Sequence, residues 1–192
     1  MGLWLAGDPR ADALLERNPF ALLVGMVLDQ QVPMEKAFRA PALLADRLGV
    51  DELDAAHLAS EDPEHLVRLF AQPPALHRFP RAMAERVHRL AQVIVEEYGG
   101  DAEALWRTAT TGRHIVDQLA RLPGFGPQKA KIFLAFLGKQ RGVHPRGWRS
   151  ACEPYGADGS YLSIADVVDA ESREKVRAAK KEAKKQMART HR

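Results

Sequence analysis

Leu122-Pro123-Gly124-Phe125-Gly126 joins two runs of helical periodicity, one ending at Arg121 and one running from Gln128 to Leu137. Two glycines around one apolar residue let the backbone turn tightly, and Pro127 suits the first position of the helix that follows. The bare amides at that helix start, with the positive end of its macrodipole, make a seat for a phosphate. Lys129, Lys131 and Arg121, and further on Lys139 and Arg141, place cations around the turn. Pro-Gly pairs are also ordinary turn chemistry, so a glycine-terminated helix followed by another fits the same residues. The full string, apolar-Pro-Gly-x-Gly with a helix on each side and cations nearby, favours nucleic acid.

The rest of the chain reads as all-α. No run alternates strictly between apolar and polar, and no Asn-Gly or Asp-Gly turn joins two β-branched runs. Asn18-Pro19 starts a helix from Phe20 to Leu28 that is apolar on nearly every face and hence buried. It stops at Asp29-Gln30-Gln31, since Pro33 disfavours helical geometry at Val32. A helix from Met34 to Leu48 ends at Gly49, and shorter ones are expected near 12–17, 51–58 and 63–70. Gln72-Pro73-Pro74 is the candidate crossing between two lobes. Arg81 to Tyr98 is amphipathic, with Met83, Val87, Leu90, Ile94 and Val95 as its apolar stripe, and His77 and His88 read as surface or boundary residues. Trp106, Ile115, Val116 and Leu119 read as packing that positions the turn.

At 192 residues the chain can bury a real core in one domain or two small lobes. Its longest apolar stretch, Ala21 to Leu28, is too short to span a membrane, and no secretory segment opens the chain, so a cytoplasmic (in a bacterium, nucleoid-associated) monomer is the default expectation. Cys152 is the single cysteine, which excludes an intrachain disulfide and any four-cysteine zinc or iron–sulfur site built from this chain. The seven histidines form no helical pair, so no metal or other cofactor is expected.

The net charge of +3 hides a segregation: residues 172–192 hold nine Lys/Arg against two Glu, and residues 1–171 hold 19 Lys/Arg against 23 Asp/Glu. The organisation expected is therefore a body, 1–171, and a basic terminal helix or tail, 172–192. Such asymmetry points to an anionic partner, and a solvated helix with a frayed end accounts for the tail alone equally well.

Two stretches carry a resemblance. Leu22 to Ala37, LLVGMVLDQQVPMEKA, resembles the helix, glutamine turn and helix near the start of the helix-hairpin-helix (HhH-GPD) DNA glycosylases, which include enzymes of the endonuclease III and alkyladenine types. Residues 77–137 resemble that family's long helix, Gly-rich break, short helix, hairpin and second helix. The resemblance covers roughly residues 18 to 140 and implies a two-lobed all-helical fold with a DNA cleft. It implies double-stranded DNA with a damaged or modified base as partner, extrusion of that nucleotide, and cleavage of its N-glycosidic bond; the single cysteine makes it a member without an iron–sulfur cluster. Gln30 or Gln31 would fill the vacated stack, and Leu122, Gly124, Phe125, Gly126, Gln128, Lys129 and Lys131 would lie against DNA.

The family's catalytic groups are missing. Gln128 stands where members that cut the strand carry a Schiff-base lysine; Lys129, one residue on, is turned by about 100° unless the register shifts after Pro127. A monofunctional glycosylase follows. The family aspartate beyond the second hairpin helix is also absent, and His144 stands in its place. Asp29 is the first candidate to replace it: an acid ending an apolar helix beside the glutamine turn, opposed by the helix dipole and by desolvation, acquires a raised pKa. A solvated helix-end acid, or a partner for Lys36, fits Asp29 as well. Asp158 is second, and His144 would orient water or contact phosphate. Trp148, Tyr155 and Tyr161 form an aromatic group in the irregular segment beyond; Trp148 and Tyr155 are the candidate base-pocket residues, with loop packing as the alternative. A DNA-binding protein that has lost catalysis is the competing reading.

Overall fold

Helix α1 (Pro9–Arg17) and helix α2 (Pro19–Leu28) begin alike, each with a side-chain cap followed by proline: Asp8 accepts from the amides of Arg10 and Ala11, and Asn18 from that of Ala21. All nine residues from Phe20 to Leu28 are buried, as a helix without a polar face requires. Helix α3 (Met34–Leu48) ends at Gly49 in the left-handed conformation. It lies so close to α2 that a Cβ on Gly25 would stand 2.6 Å from the Phe38 ring. The computed structural model describes residues 2–190; the last two residues of the expected tail, His191 and Arg192, lie outside them.

Helix α4 (Ala55–Ser60) and helix α5 (Pro63–Ala71) pack along helix α6 (Pro80–Tyr98), which also touches α2. Gln72-Pro73-Pro74 joins α5 to α6, two helices packed on one another. The stripe of α6 is buried at Met83, Val87, Leu90 and Ile94, with Val95 partly buried.

Helix α7 (Ala104–Arg107) carries Trp106 inward, and helix α8 (Gly112–Ala120), helix α9 (Pro127–Gln140) and helix α10 (Trp148–Ala151) pack together. Trp106 and Phe125 both meet Phe133 of α9 edge-on, with ring centroids 5.5 and 6.1 Å apart. A 3-10 turn (Ile164–Asp166) packs on α9 and leads into helix α11 (Ala170–Thr190). The helices pack in two neighbouring groups, α1–α6 and α7–α10 with the 3-10 turn, sharing one continuous apolar core. Among the described residues there is no strand, only an isolated bridge between Thr111 and Arg146. No described helix is long and apolar enough to cross a membrane.

Three expectations change here. His77 is not at the surface: it is 1% exposed. Lys139 and Arg141 do not face the hairpin, because both lie in the last turn of α9 or just past it and find partners there. Lys139 makes a buried ion pair with Asp166 at 2.8 Å, and Arg141 reaches Glu16 at 3.5 Å.

Candidate nucleic-acid interface and active site

The hairpin uses its two glycines differently. Gly124 adopts φ 82°, and a Cβ there would stand 2.9 Å from both Val27 of α2 and Arg86 of α6. Close approach of α2 and α6 and the left-handed backbone both demand glycine at this point. Gly126 is extended at φ −126°, and nothing lies within 4 Å of where its Cβ would be. Its carbonyl accepts the first helical bond of α9, from the amide of Ala130 at 3.0 Å. The first-turn amides of Gln128 and Lys129 have no intrahelical carbonyl to reach and remain for an anion. Leu122 and Phe125 are buried and hold the turn, so their side chains are anchors, whereas Lys131 is half-buried beside it.

At the glutamine turn the two glutamines separate. Gln30 folds back, its Nε2 donating to Val27 O at 3.0 Å, so it caps the end of α2. Gln31 is exposed with φ 55° and is the glutamine free to project. His77 secures the turn from behind: Nε2–H is shared between the carbonyls of Leu28 (3.1 Å) and Gln30 (3.0 Å), and Nδ1 accepts from the Phe79 amide at 3.0 Å. That pattern uses the neutral ring, and burial, the largest influence, lowers its pKa despite both carbonyls.

Asp29 closes α2, its amide donating to Gly25 O at 3.0 Å. Burial raises its carboxyl pKa; Lys180 and then Lys129 pull it back, and Glu35 adds to the rise. Its neighbours are thus Lys129 and Lys180 where the sequence suggested Lys36. Lys129 reaches across from α9, with Nζ 2.6 Å from Met26 O and 3.4 Å from Asp29 O. Burial lowers the pKa of that amine, against the opposing pull of Asp29.

Gln128 points the other way, as the helical offset predicts. Its Nε2 donates to the Tyr155 hydroxyl at 3.0 Å, and the pair lines a groove of about 670 Å³ whose far wall is α11, through Arg177, Lys180, Lys181 and Lys184.

His144 and Trp148 are not part of this groove. His144 Nε2–H donates to Gly138 O at 2.7 Å and its ring stacks on Trp148 at 5.2 Å. Trp148 packs so tightly over Gly138 that a Cβ there would fall 2.2 Å from its ring. Ten helical residues separate Gly138 from Gln128, about 15 Å along α9. The segment after α9 folds back on the helix's distal end, which takes both residues away from the hairpin. Asp158 makes an exposed pair with Arg149 at 3.1 Å.

Sequence reasoning missed His77, Arg86, Glu35, Arg177 and Lys180. Burial pushes the Glu35 carboxyl up, but its own amide and the guanidiniums of Arg177 and Arg173 outweigh burial and lower its pKa. Only the basic composition of the tail hinted at α11, and nothing in the sequence marked Arg86 or His77.

No curated protein matches the chain. The sequence profile of the HhH-GPD superfamily base excision DNA repair proteins matches residues 24–192, which takes in the glutamine turn, the hairpin and the terminal helix. With an all-helical fold, a hairpin whose glycines are set by geometry, and a match over most of its length, the chain belongs to the HhH-GPD superfamily of base excision DNA repair proteins.

Proposed function

We infer that the protein is a glycosylase that extrudes a damaged or modified base from duplex DNA and hydrolyses its N-glycosidic bond, with Asp29 as the catalytic carboxylate. The observation that carries this reading is the setting of Asp29: it ends α2 at the glutamine turn, burial lifts its pKa, and Lys180 and Lys129 act on it from α11 and the hairpin helix. A carboxylate of raised pKa is a stronger base than an ordinary one, and its ionised form stabilises the positive charge developing on the sugar. The C1′–N bond breaks with its electron pair leaving on the base, which takes up a proton from solvent. Water adds its oxygen to C1′ and gives a proton to Asp29. Gln31 fills the vacated stack, the amides of Gly126, Gln128 and Lys129 hold a phosphate, and the base enters the groove beside Gln128 and Tyr155.

Two observations support hydrolysis without strand cleavage: Gln128 occupies the family's lysine position, and Lys129 directs its ammonium to the carbonyls of Met26 and Asp29. Borohydride trapping on abasic DNA is expected to give no adduct; an adduct lost in Lys129→Met overturns this. The absence of both usual catalytic groups favours a second reading, a protein that holds distorted DNA without turnover.

Base release from duplexes carrying alkylated, deaminated, oxidised and bulky modified bases, scored with and without alkali, separates the readings. The expected result is alkali-dependent cleavage by wild type that Asp29→Asn abolishes. Release that survives the substitution discards Asp29, and tight binding without release on any duplex selects the second reading.

A further inference from the structure

Helix α11 consists of two electrostatically different halves. Up to Arg177 its cations have acidic partners: Arg173 meets Glu35 at 2.8 Å, Lys175 meets Glu171 at 2.7 Å, and Arg177 meets Glu174 at 2.6 Å and also Glu35. Ser172 and Val176 are buried, so this half is anchored to the body. Beyond Arg177 come Lys180, Lys181, Lys184, Lys185 and Arg189 against the single acid Glu182. Among the described residues these five cations have no ion pair.

Their spacing is ordered. Lys181, Lys185 and Arg189 stand at i, i+4 and i+8 and form one row along the helix, with Lys180 and Lys184 in a second row beside it. Like charges at this spacing repel and weaken a helix, an arrangement relieved by an anion running along the rows. Both rows start at the groove, where Lys180, Lys181 and Lys184 share the wall opposite Gln128. From Lys180 to Arg189 the helix advances about 13 Å, the length that about four nucleotides of one strand occupy along the duplex axis at roughly 3.4 Å each.

We propose that the distal half of α11 grips the phosphodiester backbone of the DNA strand whose nucleotide enters the groove, on the side of the groove opposite the hairpin amides. The proposal rests on the groove being where the base is received. The anchored half, pinned through Glu35, holds the helix in place, and the unpaired half supplies charge without reading sequence.

The test is fluorescence anisotropy of a labelled duplex over a salt series, comparing the full chain with K181Q/K185Q/R189Q. Glutamine is a good helix former, and circular dichroism checks that helicity is kept. The slope of log affinity against log salt is expected to become shallower by about 2.7, near 0.9 for each lost contact, and K181R/K185R is expected to keep the wild-type slope. An unchanged slope in a variant that still binds overturns the grip and leaves the glycosylase reading standing. Failure of wild type to bind any duplex overturns both. Loss of binding to anionic phospholipid vesicles with an unchanged DNA slope assigns the rows to a membrane surface and overturns the proposal.

Discussion

The ammonium of Lys129 donates to the backbone carbonyl of Met26 at 2.6 Å, tying the first turn of the hairpin helix to the last turn of α2. Met26 O also accepts from the Asp29 amide at 3.3 Å, so the lysine adds a second, charged donor at the helix C-terminus, where a cation complements the macrodipole. Here the lysine comes from α9, so the same contact sets where the start of the hairpin helix lies relative to the glutamine turn. It also places a positive charge near Asp29.

Replacing Lys129 by methionine removes that charge while keeping the length of the side chain. The Asp29 carboxyl is then less favoured in its ionised form, and its pKa moves further up. The acid limb of the pH–rate profile for base release is expected to shift to higher pH. A limb that stays where it is shows that the titrating group is not Asp29.

The two hairpin glycines are expected to respond differently to alanine. At Gly124 the left-handed backbone adds about 1–2 kcal/mol of strain, and the new methyl would meet Val27 and Arg86 at 2.9 Å. Gly124→Ala is therefore expected to destabilise by more than about 2 kcal/mol in denaturant unfolding. Gly126→Ala has an extended backbone and open space, so its stability should stay within about 0.5 kcal/mol of wild type. Duplex affinity should nonetheless fall several-fold, because the methyl stands at the mouth of the amide seat; an unchanged affinity would place the phosphate elsewhere.

His77 predicts a pH dependence of stability. Its folded pKa lies below the ordinary 6.5, so the folded state resists a proton that the unfolded chain accepts. Its contribution is fully present above 6.5 and declines as pH falls from 6.5 towards the folded pKa. His77→Leu leaves the carbonyls of Leu28 and Gln30 and the Phe79 amide without this partner, and should cost about 3 kcal/mol at neutral pH. Thermal melts across that window should also show a flatter profile in the variant.

Asp29 predicts the opposite sign. Its folded pKa is raised above the ordinary 3.8, so stability is undiminished at low pH and falls as pH rises from 3.8 to the folded pKa. Asp29→Asn should gain stability at neutral pH, on the order of 1 kcal/mol, with the gain vanishing as pH falls to the ordinary carboxylate range. A variant that gains stability while losing base release marks a carboxylate kept for function.

Much of the helical framework was readable along the chain. Helix α3 was bounded at Met34 and Leu48 by sequence alone, because Pro33 and Gly49 act on the residues beside them. Helix α4 was placed too early, since two aspartates compete for its cap and Asp54, not Asp51, accepts from the His57 amide at 2.9 Å. Nothing in the sequence showed that His77 would reach Leu28, or that α11 would return to Glu35.

Caps, periodicities and turn glycines act within a few residues, and so the sequence sufficed for most of the helices and for the hairpin between α8 and α9. The identity of the groups that meet was decided by packing. Lys129 and Met26 are separated by 103 positions, and Arg177 and Glu35 by 142. Both pairings depend on how helices cross, which follows from the shape of the buried faces as a whole. The same packing carried His144 and Trp148 to the far end of α9 and put Lys129, one residue past the position where the family's strand-cutting members carry a lysine, beside Asp29.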